Sequence, residues 1–356
     1  MSDSYTISVE PIGREVECRS DQPILDACLR AGVWLPHACT HGTCGTCKAQ
    51  VLEGEVDHQD SSDFALLEFE RTEGKALICV ATPLSDVTIE ADVEAEVGVV
   101  FHPVRDYRGV LVSLQDIARD TRRLTIELDQ EMAFNPGQYV SVQVPGQGVT
   151  RTYSMANPPS EPGRLELQIR RTPGGLGTDG WIFKTLAEGD SIELSGPYGR
   201  FFLRERRTEP MILVGGGTGV APLKSIVRHV LEQGLPNRMY LYQGARTQDD
   251  LYDAGFYREL QDKHPEQFSY RPCLSHPGLD NTDWSGARGL VTDVVAADFE
   301  TCRQHAAYLC GSPPMVEAAL KTLMKKRLFP KDIYREDFFD TSDKATGGVR
   351  SPLLGR

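Results

Sequence analysis

The segment Cys39-Thr40-His41-Gly42-Thr43-Cys44-Gly45-Thr46-Cys47 holds three cysteines, and 31 residues separate it from a fourth, Cys79. This Cys-x4-Cys-x2-Cys spacing with a distant fourth cysteine is typical of plant-type [2Fe-2S] proteins. Four thiolates must converge on one small cluster, so a tight loop supplies three and another chain segment supplies the last. Gly42 and Gly45 allow the backbone to fold closely around the sulfurs. We therefore predict a [2Fe-2S] cluster with four ligands: Cys39, Cys44, Cys47 and Cys79.

A structural zinc site with four cysteines is the alternative for this loop. Zinc sites usually combine two short Cys-x2-4-Cys pairs, whereas three of these cysteines form a triplet and the fourth stands alone. His37 and His41 could be suspected as Rieske-type ligands, but the four cysteines already complete the set, so we interpret both as loop residues. Cys18 and Cys28 are predicted to lie in the core of the same domain.

The residues around this loop predict a small domain over residues 1–97. Residues 6–9 and 15–18 alternate polar and apolar side chains, as in a β-hairpin. Residues 24–31 read as a short helix that Gly32 ends, and a strand follows the cysteine loop at residues 49–52. A linker is predicted over residues 98–106.

The next segment, residues 107–205, predicts a small antiparallel barrel. Alternating strands are expected at residues 110–112, 124–128, 139–142 and 165–169. The turn signals Pro136-Gly137 and Pro145-Gly146 separate some of these strands, and several short strands at such spacing are typical of barrels.

Residues 206–340 change to an alternation of strand and helix. An apolar strand at residues 211–214 runs into Gly215-Gly216-Gly217-Thr218-Gly219, and a helix with a one-sided apolar pattern follows. Further elements are expected at residues 239–242, 251–264, 307–309, 315–324 and 333–338. This pattern predicts a doubly wound parallel α/β domain. Residues 341–356 are expected to form a flexible tail.

Three segments of the second domain, in this order, indicate a flavin site: Arg151-Thr152-Tyr153-Ser154, Gln168-Ile169-Arg170 and Gly174-Gly175-Leu176-Gly177-Thr178. An arginine can bind a pyrophosphate through two hydrogen bonds. A tyrosine can cover an isoalloxazine ring, and a serine hydroxyl can reach its N5 atom. Backbone N–H groups of the glycine-rich segment can contact phosphate oxygens. Any one of these segments alone fits an ordinary barrel strand, but the ordered set favours FAD.

The glycine-rich segment at residues 215–219 is predicted to cradle a phosphate, because it lies between a strand and a helix. It lacks the Gly-x-Gly-x-x-Gly pattern and the acidic residue that usually follows, which disfavours a standard dehydrogenase. The strand that ends in Cys310-Gly311-Ser312-Pro313-Pro314-Met315 should lie beside it at the switch point of the sheet. Cys310 is expected to contact the nicotinamide, with a buried structural thiol as the alternative.

The formal net charge of −13 is concentrated at one end of the chain. The first hundred residues hold 19 acidic and 6 basic side chains, whereas the rest of the chain holds 32 of each. This distribution argues against nucleic-acid binding, which needs a basic surface. The acidic segment either increases solubility or forms a docking surface for a basic patch on a partner.

The sequence contains no stretch near the ~18 apolar residues that a membrane helix needs. Its first five residues, Met1-Ser2-Asp3-Ser4-Tyr5, show neither the basic nor the apolar region of a secretory signal. We therefore expect a cytoplasmic protein without a membrane partner. In that compartment its nine cysteines are poor candidates for disulfides.

Taken together, these segments resemble the ferredoxin–NADP reductase superfamily, and their order is similar to that of the reductase components of bacterial oxygenases. Three segments closely resemble the reductase subunit of multicomponent phenol hydroxylases: Gly32-Val33-Trp34-Leu35-Pro36, His41-Gly42-Thr43-Cys44-Gly45-Thr46-Cys47 and His102-Pro103-Val104-Arg105-Asp106-Tyr107-Arg108-Gly109. Reductases of soluble di-iron alkane or methane monooxygenases and of benzoate-type dioxygenases are near alternatives.

The resemblance implies a β-grasp [2Fe-2S] ferredoxin domain, an antiparallel β-barrel FAD domain and a doubly wound parallel α/β NAD domain. It assigns catalytic roles to Ser154, Cys310 and Glu336. It assigns FAD contacts to Arg151, Thr152, Tyr153, Ser154, Gln168, Ile169, Arg170, Gly175, Gly177, Thr178 and Phe338. It assigns nicotinamide-nucleotide contacts to Gly216, Gly217, Thr218, Gly219, Gly244, Arg246, Cys310, Gly311, Pro313 and Met315. Phe338 belongs to a Glu-x-Phe motif whose aromatic ring closes over the flavin, and Phe339 is the neighbouring candidate.

The same resemblance bears on the choice of nucleotide. NADP-using relatives carry a Ser-Arg pair for the 2′-phosphate, whereas the matching place here reads Ser275-His276. Arg246 is followed by Asp249 and Asp250, whose charge should repel that phosphate. These residues favour NADH.

NADH gives up two electrons as a hydride and a [2Fe-2S] cluster accepts one, so a carrier such as FAD must stand between them. We therefore expect a monomeric NADH oxidoreductase that passes electrons from NADH to FAD, to the cluster and to an external di-iron hydroxylase. The hydroxylase is expected to dock on the acidic ferredoxin domain. The reductase of a Rieske dioxygenase is the first alternative, and a non-enzymatic iron–sulfur or nucleotide sensor is the second.

Overall fold

The computed structural model describes residues 3–93, 98–276 and 284–338. The chain divides into two compact units. The first contains the chain up to Arg105 together with Gly196–Arg200, and the second contains Asp106–Ser195 and Phe201–Phe338. Among the described residues, no helix combines the length and apolar composition that a membrane crossing requires.

The first unit is built on a mixed five-stranded sheet with strand order β2-β1-β7-β3-β5. Strand β1 pairs antiparallel with β2 and parallel with β7, and β3 pairs antiparallel with β7 and β5. A sheet of this order with a helix after its first hairpin is a β-grasp fold. Its elements are β1 (Ser4–Glu10), β2 (Arg14–Arg19), α1 (Ile24–Arg30), β3 (Lys48–Glu53), β4 (Val56–Asp57), α2 (Glu68–Thr72), β5 (Lys75–Leu77), β6 (Thr82–Pro83) and β7 (Val87–Glu90). Cys18 and Cys28 are fully buried in its core, as predicted.

The second unit begins with a six-stranded sheet of order β11-β10-β13-β8-β9-β12. Its strands are β8 (Arg105–Ala118), β9 (Thr121–Leu128), β10 (Tyr139–Val144), β11 (Val149–Ser154), β12 (Arg164–Arg170) and β13 (Ser191–Tyr198). An antiparallel bridge between Met155 and Leu167 joins the two ends of this order, so the sheet closes into a barrel. Its apolar side chains, including those of Leu111, Ile126 and Ile169, form one buried cluster.

The rest of the second unit is a parallel sheet of order β17-β16-β15-β14-β18-β19 between helices. Its elements are β14 (Met211–Gly216), α3 (Val220–Glu232), β15 (Met239–Ala245), α4 (Ala254–Lys263), β16 (Phe268–Leu274), β17 (Ala287–Arg288), α5 (Val291–Asp298), β18 (Ala306–Gly311), α6 (Pro313–Lys325) and β19 (Ile333–Asp337). The chain starts in the middle at β14, extends to one side through β15 and then returns to β18 on the other. This reversal creates the switch point beside which nucleotides bind in such sheets.

The predicted start of one helix is wrong. The helix expected over residues 251–264 begins only at Ala254, and a 3-10 turn occupies Gln248–Asp250. The reason is Asp253, whose backbone is left-handed at φ 56° and cannot continue a helix.

Candidate functional site

The four predicted cluster ligands of the first unit, Cys39, Cys44, Cys47 and Cys79, come together. The Cys39 sulfur hydrogen-bonds to the thiols of Cys44 and Cys79, which lowers the Cys39 pKa, and Cys79 also hydrogen-bonds to Cys47. These hydrogen bonds link the four sulfurs pairwise, and the described ranges contain no group of three or more His, Cys, Asp or Glu side chains arranged to hold a single metal ion. Convergence of four sulfurs from a loop and a distant segment fits a cluster with four cysteine ligands.

Backbone packing shapes the cysteine loop. Gly42 and Gly45 are left-handed, at φ 75° and 71°. A Cβ atom on Gly42 would lie 3.3 Å from both the Asp60 carbonyl oxygen and Val80, and one on Gly45 would lie 3.5 Å from the Ala65 carbonyl oxygen. The loop is therefore pressed against the segment that follows β4, as its two glycines suggested.

His37 is a packing residue of the same unit. Its Nδ1 donates a hydrogen bond to the Leu35 carbonyl (2.8 Å), and its Nε2 accepts one from the Gly199 N–H (2.9 Å). Burial lowers its pKa to about 4. Both ring nitrogens are occupied by backbone groups, which agrees with a loop residue rather than a metal ligand.

In the barrel, the predicted flavin segments meet at Gly177. Arg151 and Tyr153 project from the same face of β11, because alternate residues of a strand share a face. A Cβ on Gly177 would lie 3.0 Å from Arg151 Cγ and 3.3 Å from the Tyr153 hydroxyl. The Thr178 hydroxyl accepts a hydrogen bond from the Thr172 N–H (3.0 Å), which fixes this turn. A basic side chain, a phenol and a glycine backbone thus converge, as a bound FAD requires.

The remaining flavin candidates differ in burial. Ser154 and Ile169 are buried, Thr152 and Arg170 are exposed, and Ile169 belongs to the barrel core. The Gln168 side chain is also buried, but it hydrogen-bonds to the carboxylates of Glu166 (3.0 Å) and Asp253 (2.9 Å). The structure therefore gives the Gln168 side chain protein partners, which the sequence did not indicate.

The nucleotide loop lies at the switch point, as predicted. Strand β14 pairs with β18, so Gly215 stands opposite Cys310. A Cβ on Gly219 would overlap the Cys310 carbonyl, and one on Gly216 would overlap Met315 Sδ. The glycines let the loop turn from β14 into α3 directly against β18, with backbone N–H groups at a helix start where an anion is favoured.

Cys310 itself is fully buried in the core of the α/β sheet. Burial raises the pKa of its thiol, and the nearby carboxylates of Glu336 and Asp337 raise it further. Strand β19 places Glu336 beside Cys310, and the Phe338 N–H donates to the Gly311 carbonyl (2.8 Å). The structure thus unites the Cys310 and Glu-x-Phe segments, while Phe339 lies outside the described residues. Contact of Cys310 with the nicotinamide stays a prediction.

The flavin strand and the nucleotide loop adjoin each other. Arg170, at the end of β12, has its Nη1 atom 3.9 Å from the position that a Cβ on Gly217 would take. The Tyr252 hydroxyl donates a hydrogen bond to the Gly217 carbonyl (2.8 Å). The two candidate nucleotide sites therefore face one another across a short distance within one unit.

The ion pairs of two groups of charged residues were not predicted from the sequence. Arg123, Glu166, Lys224 and Asp253 form a buried cluster between the barrel and the α/β sheet. Lys224 gave the one available signal, a charged residue within the apolar pattern of its helix. Arg119 pairs with Asp249 (2.9 Å), so the negative charge expected to repel a 2′-phosphate is partly compensated. Asp250 hydrogen-bonds to Thr247 instead.

Comparison with known proteins identifies the parts. Residues 7–84 match the 2Fe-2S iron-sulfur cluster binding domain, residues 108–203 the oxidoreductase FAD-binding domain, and residues 213–321 the oxidoreductase NAD-binding domain. The reductase component of phenol 2-monooxygenase from Pseudomonas sp. (strain CF600) is 47% identical over 354 residues, or 99% of each chain. This chain belongs to the family of oxygenase reductase components.

Other members of this family are similar to this chain over nearly its full length. The reductase subunit of aromatic O-demethylase from Amycolatopsis sp. is 44% identical over 340 residues, 95% of this chain and 100% of its own. The crystal structure of the Amycolatopsis cytochrome P450 reductase GcoB covers 94% of this chain and 98% of its own, with 44% identity and a TM-score of 0.87. The predicted family, fold class and cofactor set are confirmed, whereas the individual site residues and the predicted domain boundaries stay predictions.

Proposed function

We propose that this chain oxidises NADH and delivers single electrons to the hydroxylase of a multicomponent aromatic monooxygenase. The observation that carries this proposal is the presence of the 2Fe-2S, FAD and NAD domains in one chain, each with a shaped candidate site. An iron–sulfur sensor would need neither a flavin domain nor a nucleotide loop, and a nucleotide sensor would not need the flavin domain, so the family and the site geometry favour the reductase.

The residues have separable tasks in this proposal. When bound, FAD accepts a hydride and releases electrons one at a time, which matches a two-electron donor to a one-electron acceptor. Arg151 and the Gly177 turn would hold its pyrophosphate, and Tyr153 and Ser154 would border its ring. The loop ending at Gly219 would hold the pyrophosphate of NADH. Cys39, Cys44, Cys47 and Cys79 would hold the cluster.

The partner is proposed from the relatives. The phenol 2-monooxygenase reductase favours a di-iron phenol or aromatic hydroxylase, as the resemblance implied. The similarity to a cytochrome P450 reductase supports a P450-type oxygenase as a second candidate. The acidic ferredoxin domain is the proposed docking surface and the monomer the proposed state. A cytoplasmic location, as expected from the sequence, is part of the proposal.

The test is reconstitution. The purified chain is mixed with NADH and, in turn, a di-iron phenol hydroxylase, a cytochrome P450 demethylase and a Rieske dioxygenase, and product is measured per NADH consumed. Coupled product with the phenol hydroxylase supports the proposal. Coupled product with only the P450 or only the Rieske oxygenase would identify that oxygenase as the partner instead. If the chain does not oxidise NADH when ferricyanide is the electron acceptor, the reductase function itself is refuted.

A further inference from the structure

Four charged side chains form a closed cluster, here called the charge quartet: Arg123, Glu166, Lys224 and Asp253. Lys224 Nζ lies 2.8 Å from Glu166 and 2.9 Å from Asp253. Arg123 pairs with the same two carboxylates, at 3.1 Å from Glu166. The side chains of Lys224 and Asp253 are only 6% and 8% exposed, whereas those of Glu166 and Arg123 are 16% and 22% exposed, so the Lys224–Asp253 pair forms the buried centre of the cluster.

The quartet joins the barrel to the α/β sheet. Arg123 lies on β9 and Glu166 on β12, whereas Lys224 lies on α3 and Asp253 immediately precedes α4. Gln168 Nε2 bridges the two carboxylates in the same way as Lys224. With two positive and two negative groups, the quartet is neutral as a whole, which is the condition under which buried charges are tolerated.

Helix α3 has further polar contacts with the barrel. The Ser225 hydroxyl donates to the Asn157 carbonyl (2.7 Å), and Arg228 pairs with Glu161 (2.5 Å). These contacts are spaced along α3, the helix that starts at the nucleotide loop. A helix held at several points along its length cannot rotate or slide freely against the barrel.

A direct connection also leads from the quartet to the nucleotide loop. Asp253 is held in a left-handed conformation, at φ 56°. Its neighbour Tyr252 is 4% exposed and donates its hydroxyl to the Gly217 carbonyl. The quartet is therefore linked to the nucleotide loop by two routes. One runs through α3, which follows the loop in the chain, and the other runs through Tyr252, which hydrogen-bonds to the loop.

We propose that the charge quartet is a positioning device that sets the nucleotide loop at a fixed place relative to β12 and thereby aligns NADH for hydride transfer. This inference rests on the proposed function, and none of the four quartet residues is among the predicted cofactor contacts. Hydrophobic side chains of similar size could hold the two parts together, but ion pairs with defined geometry hold them at one register.

The test compares three variants in the full chain. Lys224→Met removes the ammonium and leaves two carboxylates with one guanidinium, Lys224→Arg keeps the charge, and Tyr252→Phe removes only the bond to Gly217. Lys263→Met is the matched control, because Lys263 lies on α4 and is 60% exposed. Flavin reduction at saturating NADH is measured by stopped flow with protiated and deuterated NADH. Hydrogen exchange is measured for the peptide covering residues 214–222 without nucleotide.

A misplacement of about 1 Å costs on the order of 100-fold in rate, which is the expected loss for Lys224→Met. Tyr252→Phe should lose about tenfold, Lys224→Arg should recover most of the loss, and Lys263→Met should change nothing. Exchange in the loop peptide should rise in both slow variants. Unchanged flavin reduction and unchanged loop exchange in Tyr252→Phe and in folded Lys224→Met would overturn the inference. A wild-type chain that fails to oxidise NADH would instead refute the proposed function.

Discussion

The two units of this molecule use charge in opposite ways. In the first hundred residues 19 acidic groups face 6 basic ones, and five of those six basic side chains pair with neighbouring carboxylates, most of them at partly exposed sites. The second unit is nearly balanced, and it buries the Lys224 ammonium between two carboxylates. Exposed charge that is left over creates a long-range field, whereas buried and balanced charge fixes geometry.

This difference separates two tasks of an electron-transfer chain. An acidic surface with far fewer cations than carboxylates suits a unit that must meet another protein. A neutral interior cluster suits a unit that must keep two cofactor sites aligned.

Removal of one cluster ligand should abolish one activity and spare the other. Cys79→Ser should destroy the cluster but leave the barrel and the α/β sheet folded, because they form a separate compact unit. NADH–ferricyanide turnover should persist while cytochrome c reduction collapses. Equal loss of both activities would break the proposed division of labour.

Gly219→Ala should disable the nucleotide loop alone. The new Cβ would overlap the Cys310 carbonyl of the neighbouring strand, which cannot move without disturbing β18. We expect NADH affinity to fall at least tenfold, measured by titration of the flavin-loaded chain, while FAD and iron contents stay normal. Gly255→Ala is the control, since nothing lies within 4 Å of its Cβ position in helix α4 and alanine favours helix. An unaffected Gly219→Ala variant would contradict the placement of the loop.

Loss of Lys224 should also be visible in stability. Removal of one partner from a buried ion cluster costs about 3–5 kcal/mol, whereas loss of the Lys263–Glu259 pair should cost far less because water screens this exposed pair. Chemical denaturation of Lys224→Met and Lys263→Met should show this contrast. Similar losses in both variants would remove the distinction between buried and exposed charge.

The contribution of the Asp253 carboxylate to stability should change with pH in a defined direction. Burial alone raises the Asp253 pKa, but Lys224 and Arg123 outweigh it and lower the pKa below its ordinary value of about 3.9. A depressed carboxyl pKa contributes stability that is present above the unfolded pKa and is lost as the pH falls through the folded pKa. The stability gap between wild type and Lys224→Met should therefore be constant down to about pH 4 and narrow below it.

A smaller effect is expected for the choice of nucleotide. The family resemblance implies that His276 takes the place of an arginine of NADP-using relatives, so we expect the 2′-phosphate to lack one charge-assisted contact. We expect kcat/KM for NADH to exceed that for NADPH by about tenfold, or ~1.4 kcal/mol. Arg119→Ala should widen this ratio, because it removes the cation that compensates Asp249. Comparable kcat/KM values for the two nucleotides in wild type would refute the preference.

The smallest effect concerns the acidic surface. Screening over a Debye length of ~10 Å at 0.1 M salt should slow electron delivery to the oxygenase, while NADH–ferricyanide turnover changes little. Neutralisation of Glu53, Glu55 and Asp57, beside the strand that leaves the cysteine loop, should weaken that salt dependence. If salt and these substitutions leave coupled turnover unchanged, the acidity serves solubility and not docking.

Sequence patterns predicted this fold well where only a few structures are compatible with the pattern. The cysteine spacing, the glycine-rich turns and the apolar strand before Gly215 each admit few structures, and the structure agrees with them. Strand β16 was missed because it contains Pro272, which lacks a sheet donor. The start of α4 was missed because tertiary contacts of Asp253 override a continuous helical pattern. The charge quartet was invisible because its members come from four separate segments, and only the folded chain brings them together.

The most direct test of the central claim is an anaerobic rapid-mixing experiment with NADH. Flavin absorbance and the electron paramagnetic resonance signal of the reduced cluster are followed in the intact chain, in the chain stripped of FAD and in the stripped chain after FAD is restored. We expect the flavin to be reduced first, the cluster to stay oxidised without FAD, and cluster reduction to return when FAD is restored. Cluster reduction by NADH at the same rate without FAD would contradict this expectation.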